Sequence, residues 1–130
     1  MGAWGIGPFE NDDALDWVWQ LESSPDTSVL SNAFDAVNTA QYREAPDCTI
    51  ALAAAETVAA MLGKPMQGLP DEVKSWAAKH ASVLESVLVK SALQAADHVL
   101  VASELQELWQ ETDDYEAWRN SVTGLMERLQ

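Results

Sequence analysis

Cysteine, histidine and basic residues are scarce in this chain, and each shortage closes off a class of protein. Cys48 is the single cysteine, so no disulfide can form within the chain. With His80 and His98 as the two histidines, a cysteine–histidine zinc framework of four ligands is also out of reach. Lys and Arg total 7 against 21 Asp and Glu, a net charge of −14. A surface of that sign repels phosphate backbones and anionic membranes and favours a basic partner. Neither nucleic acid nor a membrane is therefore expected as a partner. The shortage of cations is uneven. Arg43 is the one cation among residues 1–63, beside ten carboxylates, whereas residues 64–130 hold six cations and eleven carboxylates.

Long apolar runs are missing as well. The longest, Ile50 to Ala55, is far too short to span a bilayer. The start of the chain carries neither the basic region nor the apolar run of a secretory signal. Ile6 stands where a myristoylation signal needs Ser or Thr. A soluble, cytoplasmic protein is the expectation. Alternating runs of β-branched residues bounded by turns, the mark of strands, are nearly absent. Gly2, Gly5 and Gly7 precede a helix, but they lack the preceding strand and the spacing of a phosphate-binding loop, and the acids after them would repel a phosphate.

What is present is a hydrophobic fraction of 48% in 130 residues. That composition suits one domain over residues 1–130, able to bury roughly 65–70% of its unfolded surface. Helix signals recur along its length. Asn11 reads as an N-cap with Asp12 and Asp13 in the first turn, and Ala14, Trp17, Val18 and Leu21 follow at helical spacing, predicting a helix from Asp12 to Glu22. Asp26 or Thr27 caps a second helix with the stripe Leu30, Ala33, Phe34 and Val37, ending near Thr39. Asp47 is the expected cap of a third, which Gly63 stops. From Cys48 to Leu62 that helix carries one charge, Glu56, among many alanines. A helix apolar on all sides is central.

Pro70 suits the first position of a fourth helix, whose face is Val73, Trp76, Ala77 and His80. Ser82 with Glu85, Ser103 with Gln106, and Asp113 with Glu116 each have capping-box spacing, predicting three more helices. Their stripes are Leu84 to Val99, Leu105 to Trp109, and Tyr115 to Leu129. The expected fold is all-α: a compact bundle of six to seven helices around the alanine-rich third, preceded by an ordered glycine-aromatic loop.

The opening residues GAWGIGPFENDDALDW resemble the start of an uncharacterised bacterial family, domain of unknown function 4259. APDCTIALAAAETVAAMLG, from Ala45 to Gly63, and SELQELW, from Ser103 to Trp109, also fit that family and occur in the expected order. The resemblance brings no activity, cofactor or catalytic residue with it. It marks Asn11, Asp12, Asp13, Asp16, Glu56, Ser103 and Glu104 as positions to follow.

Asp12, Asp13 and Asp16 spell D-D-x-x-D. One turn of helix puts Asp12 and Asp16 on one face, where they can share a cation, and magnesium prefers such oxygen ligands. The pattern also serves diphosphate-binding enzymes built from long helices, an architecture this chain is too short for. The plainer account is that acids in a first turn offset the helix dipole, at about 0.3–1 kcal/mol each. Glu56, if buried, must be paired, hydrogen-bonded or protonated, with Arg43, Arg119, a histidine or a backbone donor as candidate partners, or else join the N-terminal acids around a cation. An exposed acidic face accounts for Glu104, Glu107 and Glu111. Cys48 has no assignable base and reads as a small buried residue. Trp4 cannot belong to a helical stripe, so it either folds back over the bundle, the favoured reading, or anchors a partner.

Two functions follow as expectations. The first is a non-catalytic protein acting through contact with a basic partner, as an inhibitor, immunity-type protein or adaptor does. Its candidate binding residues are Trp4, Asn11, Asp12, Asp13, Asp16, Glu56 and Glu104. The second is a magnesium-dependent hydrolase of a phosphorylated small molecule, with Asp12, Asp13, Asp16, Glu56 and Glu104 converging as ligands. No cofactor is predicted for the first, and a divalent cation is what the second would need.

Overall fold

Helix α3, Ala45–Met61, is wet on almost no side, and its composition explains why. Twelve of its 17 residues are buried, among them Ala51, Ala53, Ala54, Ala55 and Ala59. Alanine side chains let neighbouring backbones approach closely from every direction, so one helix can be surrounded. In the computed structural model, which describes residues 5–130, six other α-helices pack on α3. They are α1 (Asp12–Glu22), α2 (Ser28–Asn38), α4 (Asp71–His80), α5 (Ser86–Val101), α6 (Glu104–Gln110) and α7 (Tyr115–Leu129), and no strand occurs among the described residues. The expected all-α bundle around an alanine-rich centre is what forms.

The outer helices are amphipathic and turn their apolar stripes inward. Helix α1 buries Ala14, Trp17, Val18 and Leu21, the stripe that periodicity predicts. Helices α2 and α7 do the same with Leu30, Ala33, Phe34 and Val37, and with Trp118, Val122, Leu125 and Leu129. Helix α3 ends as expected. Gly63 takes φ +82°, a conformation that favours glycine. Its N–H donates to the Ala60 carbonyl at 3.0 Å, while the Lys64 N–H reaches the Ala59 carbonyl at 2.9 Å, which together make a Schellman stop.

Several helix starts differ from expectation. Helix α3 begins at Ala45 with Glu44 as its flanking residue, so Asp47 lies in the first turn instead of capping it. Helix α4 begins at Asp71 with Pro70 extended just before it. Ser82 falls in a 3-10 turn, Ala81–Val83, and extended Glu85 precedes α5 without a side-chain cap. As a result Leu84 sits before the helix and Val87 is exposed. Asp113 likewise caps nothing, since Asp114 precedes α7. Two caps form as read. Asn11 Oδ1 accepts from the Ala14 N–H at 2.8 Å, and Ser103 Oγ accepts from the Gln106 N–H at 3.0 Å. The Gln106 side chain does not close the box. It donates to the Tyr115 hydroxyl at 3.4 Å.

Close packing around α3 makes a quantitative expectation. Ala54 has no exposed surface, so Ala54→Leu should cost about 1–3 kcal/mol by overpacking in urea unfolding monitored by circular dichroism. The same change at exposed Ala78 on α4 should stay within about 0.5 kcal/mol.

Candidate functional site

The loop before α1 is held down by short-range bonds. Pro8 and Phe9 are buried. The Glu10 N–H donates to the Gly7 carbonyl at 3.0 Å, and the Gly7 N–H donates to Glu10 Oε1 at 3.2 Å. Asn11 serves both sides of the helix start: besides capping α1, its Nδ2 donates to the Pro8 carbonyl at 3.2 Å. Its polar atoms are thus committed to local structure. Trp4 lies outside the described residues.

Asp12, Asp13 and Asp16 are all exposed on α1. Among the described residues no three of these carboxylates gather around a common point, and Glu56 and Glu104 each have a partner inside the fold. Glu104 Oε1 accepts from the Ala45 N–H at 2.7 Å, so the first turn of α3 is capped by a carboxylate from α6. In return the Glu104 N–H donates to the Arg43 carbonyl at 2.9 Å. Arg43 closes the junction by donating through Nε to the Val37 carbonyl at 3.0 Å and through Nη1 to the Ala102 carbonyl at 3.3 Å. Ser103 Oγ donates to the Val99 carbonyl at 2.7 Å. The connection before α3 and the corner before α6 are therefore tied to each other.

Glu56 is buried, as expected, but its partner is none of those anticipated. Arg128, in the last turn of α7, grips the carboxylate with both ends of its fork, Nη1 to Oε1 at 2.8 Å and Nη2 to Oε2 at 3.0 Å. Such a bidentate pair is stronger and more directional than a single contact. Arg128 Nη1 also donates to the Lys64 carbonyl at 3.1 Å, which pins α7 to the end of α3. Arg43 is already spent on carbonyls. Arg119 lies nine residues back along α7, about 13 Å by helical rise. The Glu56 side chain is 1% exposed and that of Arg128 27%, so the pair bridges interior and solvent.

Among the described residues, no three His, Cys, Asp or Glu gather where a metal ion could be held, and no buried side-chain nitrogen or oxygen is without a partner. His80 stacks on Trp76, ring centroids 3.9 Å apart. His98 meets Asn38, its Nδ1 lying 3.1 Å from Oδ1, and partial burial followed by the nearby Arg43 charge lowers its pKa. Burial pushes the Cys48 thiol up to about 11, partly offset by Ser103 and the Leu105 backbone. That is the opposite of an activated nucleophile.

A cleft of about 220 Å³ opens between the Gly5–Pro8 loop, the starts of α1 and α3, α6 and Trp118. Its walls are Ile6, Pro46, Leu52, Leu105, Leu108 and Trp109, with Asn11, Asp13 and Thr49 as polar edges. Asn11 and Asp13 are sequence candidates, while Pro46, Thr49, Leu108 and Trp109 were not singled out for a site. Thr49, one of the few polar residues on a largely apolar helix, was the available signal. The loop, α3 and α6 lie far apart in the chain, yet the three segments quoted above for the family resemblance all contribute to this cleft.

Fold and cleft together define an all-α domain whose small apolar recess is framed by helix starts. The chain belongs to the family described as Domain of unknown function (DUF4259), whose model matches residues 2–121. No curated protein and no solved structure matches it.

Two measurements follow. Arg128→Ala strands a buried carboxylate and should lower the unfolding free energy by about 3 kcal/mol, the low end for such losses because the guanidinium is partly solvated. Replacing both partners by leucine should restore at least about half of that loss. Cys48 should resist a disulfide-exchange reagent in the native protein at mildly alkaline pH and react at once in denaturant. The raised native pKa favours the protonated, folded thiol below the thiol's ordinary value of 9.0, an advantage lost as pH climbs from there towards about 11.

Proposed function

We propose that this protein is non-catalytic and acts through contact with a basic partner protein, in the manner of an inhibitor, immunity-type protein or adaptor. The observation that carries this reading is how the acids divide. Glu56 and Glu104, the carboxylates that a catalytic metal site would have needed from outside α1, are consumed by Arg128 and the Ala45 N–H. Asp12, Asp13 and Asp16 stay exposed on α1, and the chain as a whole carries −14. Such a surface speeds encounter with a positively charged protein and gives specificity by charge.

No specific observation favours the magnesium-dependent hydrolase. Its five proposed ligands would have to surround one cation, and two of them already have other partners. A cytoplasmic setting accompanies the contact reading, supported by a lone, buried thiol of the kind a reducing compartment keeps.

Capture from its own cell extract at low and high salt tests the proposal. Basic proteins retained at low salt and released at high salt are the expected result. Absence of any salt-sensitive partner, together with a thermal shift on adding magnesium, would reverse the preference between the two readings.

A further inference from the structure

Trp19 is the most conspicuous exposed side chain in the fold. It is 78% exposed, and Leu15, one turn before it on α1, is 39% exposed. Isolated apolar residues on a surface are ordinary, but these two stand together along a groove between α1 and the start of α4. Pro70 continues its apolar floor, and Glu22 and Glu72 flank it. No cation lines this groove. Of the two lysines on α4, neither Lys74 nor Lys79 lines it, and Lys79 borders the adjoining recess beside Trp76 and His80. Asp16, one turn before Trp19 on α1, adds to the negative field.

We propose that this groove receives an arginine-bearing segment of a partner protein. The guanidinium stacks on the Trp19 indole and is held by the Glu22 and Glu72 carboxylates, while an apolar side chain of the same segment rests on Leu15 and Pro70. This rests on the contact reading above and gives it a place. The charge on the walls selects a cation. The indole selects arginine over lysine, because a planar guanidinium stacks on an aromatic face and binds carboxylates through a fork, which an ammonium cannot do. The apolar floor selects a segment of protein over a free cation. A second copy of this chain is a poor occupant, since its own charge of −14 opposes the approach.

The probe is a short arginine–leucine peptide, with a lysine–leucine peptide of equal length and charge as its control, titrated into the full-length protein while the indole N–H resonances are followed. The expected result is tighter binding of the arginine peptide, with the Trp19 resonance moving most. Trp19→Ala should weaken it by about tenfold. Glu22→Gln with Glu72→Gln should weaken it and flatten its salt dependence. The indole is solvent-exposed, so Trp19→Ala should leave the circular dichroism unchanged and the comparison interpretable.

Binding that Trp19→Ala leaves within about twofold is charge attraction alone and overturns the proposal, as does equal affinity for the two peptides. The two levels fail separately. A basic partner from extract that still binds Trp19→Ala removes the groove and leaves the contact reading standing. Failure of both peptides and of extract capture removes the contact reading itself.

Discussion

Past its first turn, helix α3 has no wet face on which to place a charge, yet it carries Glu56. That constraint governs the arrangement around it. A carboxylate taken out of water costs several kcal/mol unless it is paired and hydrogen-bonded. Arg128 meets both oxygens of that carboxylate at once. Because the arginine stands in the last turn of α7, the pair fixes where α7 ends against α3. The third bond of the same guanidinium, to the Lys64 carbonyl, fixes it again just past the end of α3. Apolar packing alone would leave α7 freer to slide, since alanine surfaces offer few features to register against. Glu56 and Arg128 are thus better described as setting position than as adding net stability.

The other end of α3 is set by a comparable long-range device. Glu104 caps the Ala45 N–H, and Arg43 spreads across carbonyls of Val37 and Ala102. Between these two ends the helix presents mostly small side chains to the helices that enclose it. Glu56 and Glu104 are thereby absorbed into architecture, and exposed acids elsewhere leave the surface strongly negative.

Much of the fold was legible in local pattern. The buried stripes of α1, α2 and α7 follow from periodicity, and Asn11 and Ser103 cap as their types suggest. The failures share a cause. Glu104 lies 59 residues from the N–H it caps, so the start of α3 looked as though it needed Asp47. Arg128 lies 72 residues from Glu56, and nothing local distinguishes it from Arg119. Ser82 and Asp113 have the spacing of a capping box without the geometry, because the chain turns there through a 3-10 segment or enters the helix one residue later. The cleft was legible in one respect: the segments that resemble the family are those that come together. Its actual walls at Pro46, Thr49 and Trp109 were not: Pro46 and Thr49 fall in no amphipathic stripe, and a stripe residue such as Trp109 looks the same whether it meets the core or the rim of an opening.

The long reach between Glu56 and Arg128 also imposes an order on assembly. During synthesis at roughly 5–20 residues per second, a separation of 72 residues corresponds to about 4–14 s between the appearance of the acid and that of its partner. For that interval the middle of α3 carries an unanswered carboxylate and cannot be dried at low cost. The earlier helices can collect around α3, but α7 is the helix that allows its centre to close. A nascent chain of this protein therefore stays hydrated at its core until Arg128 arrives.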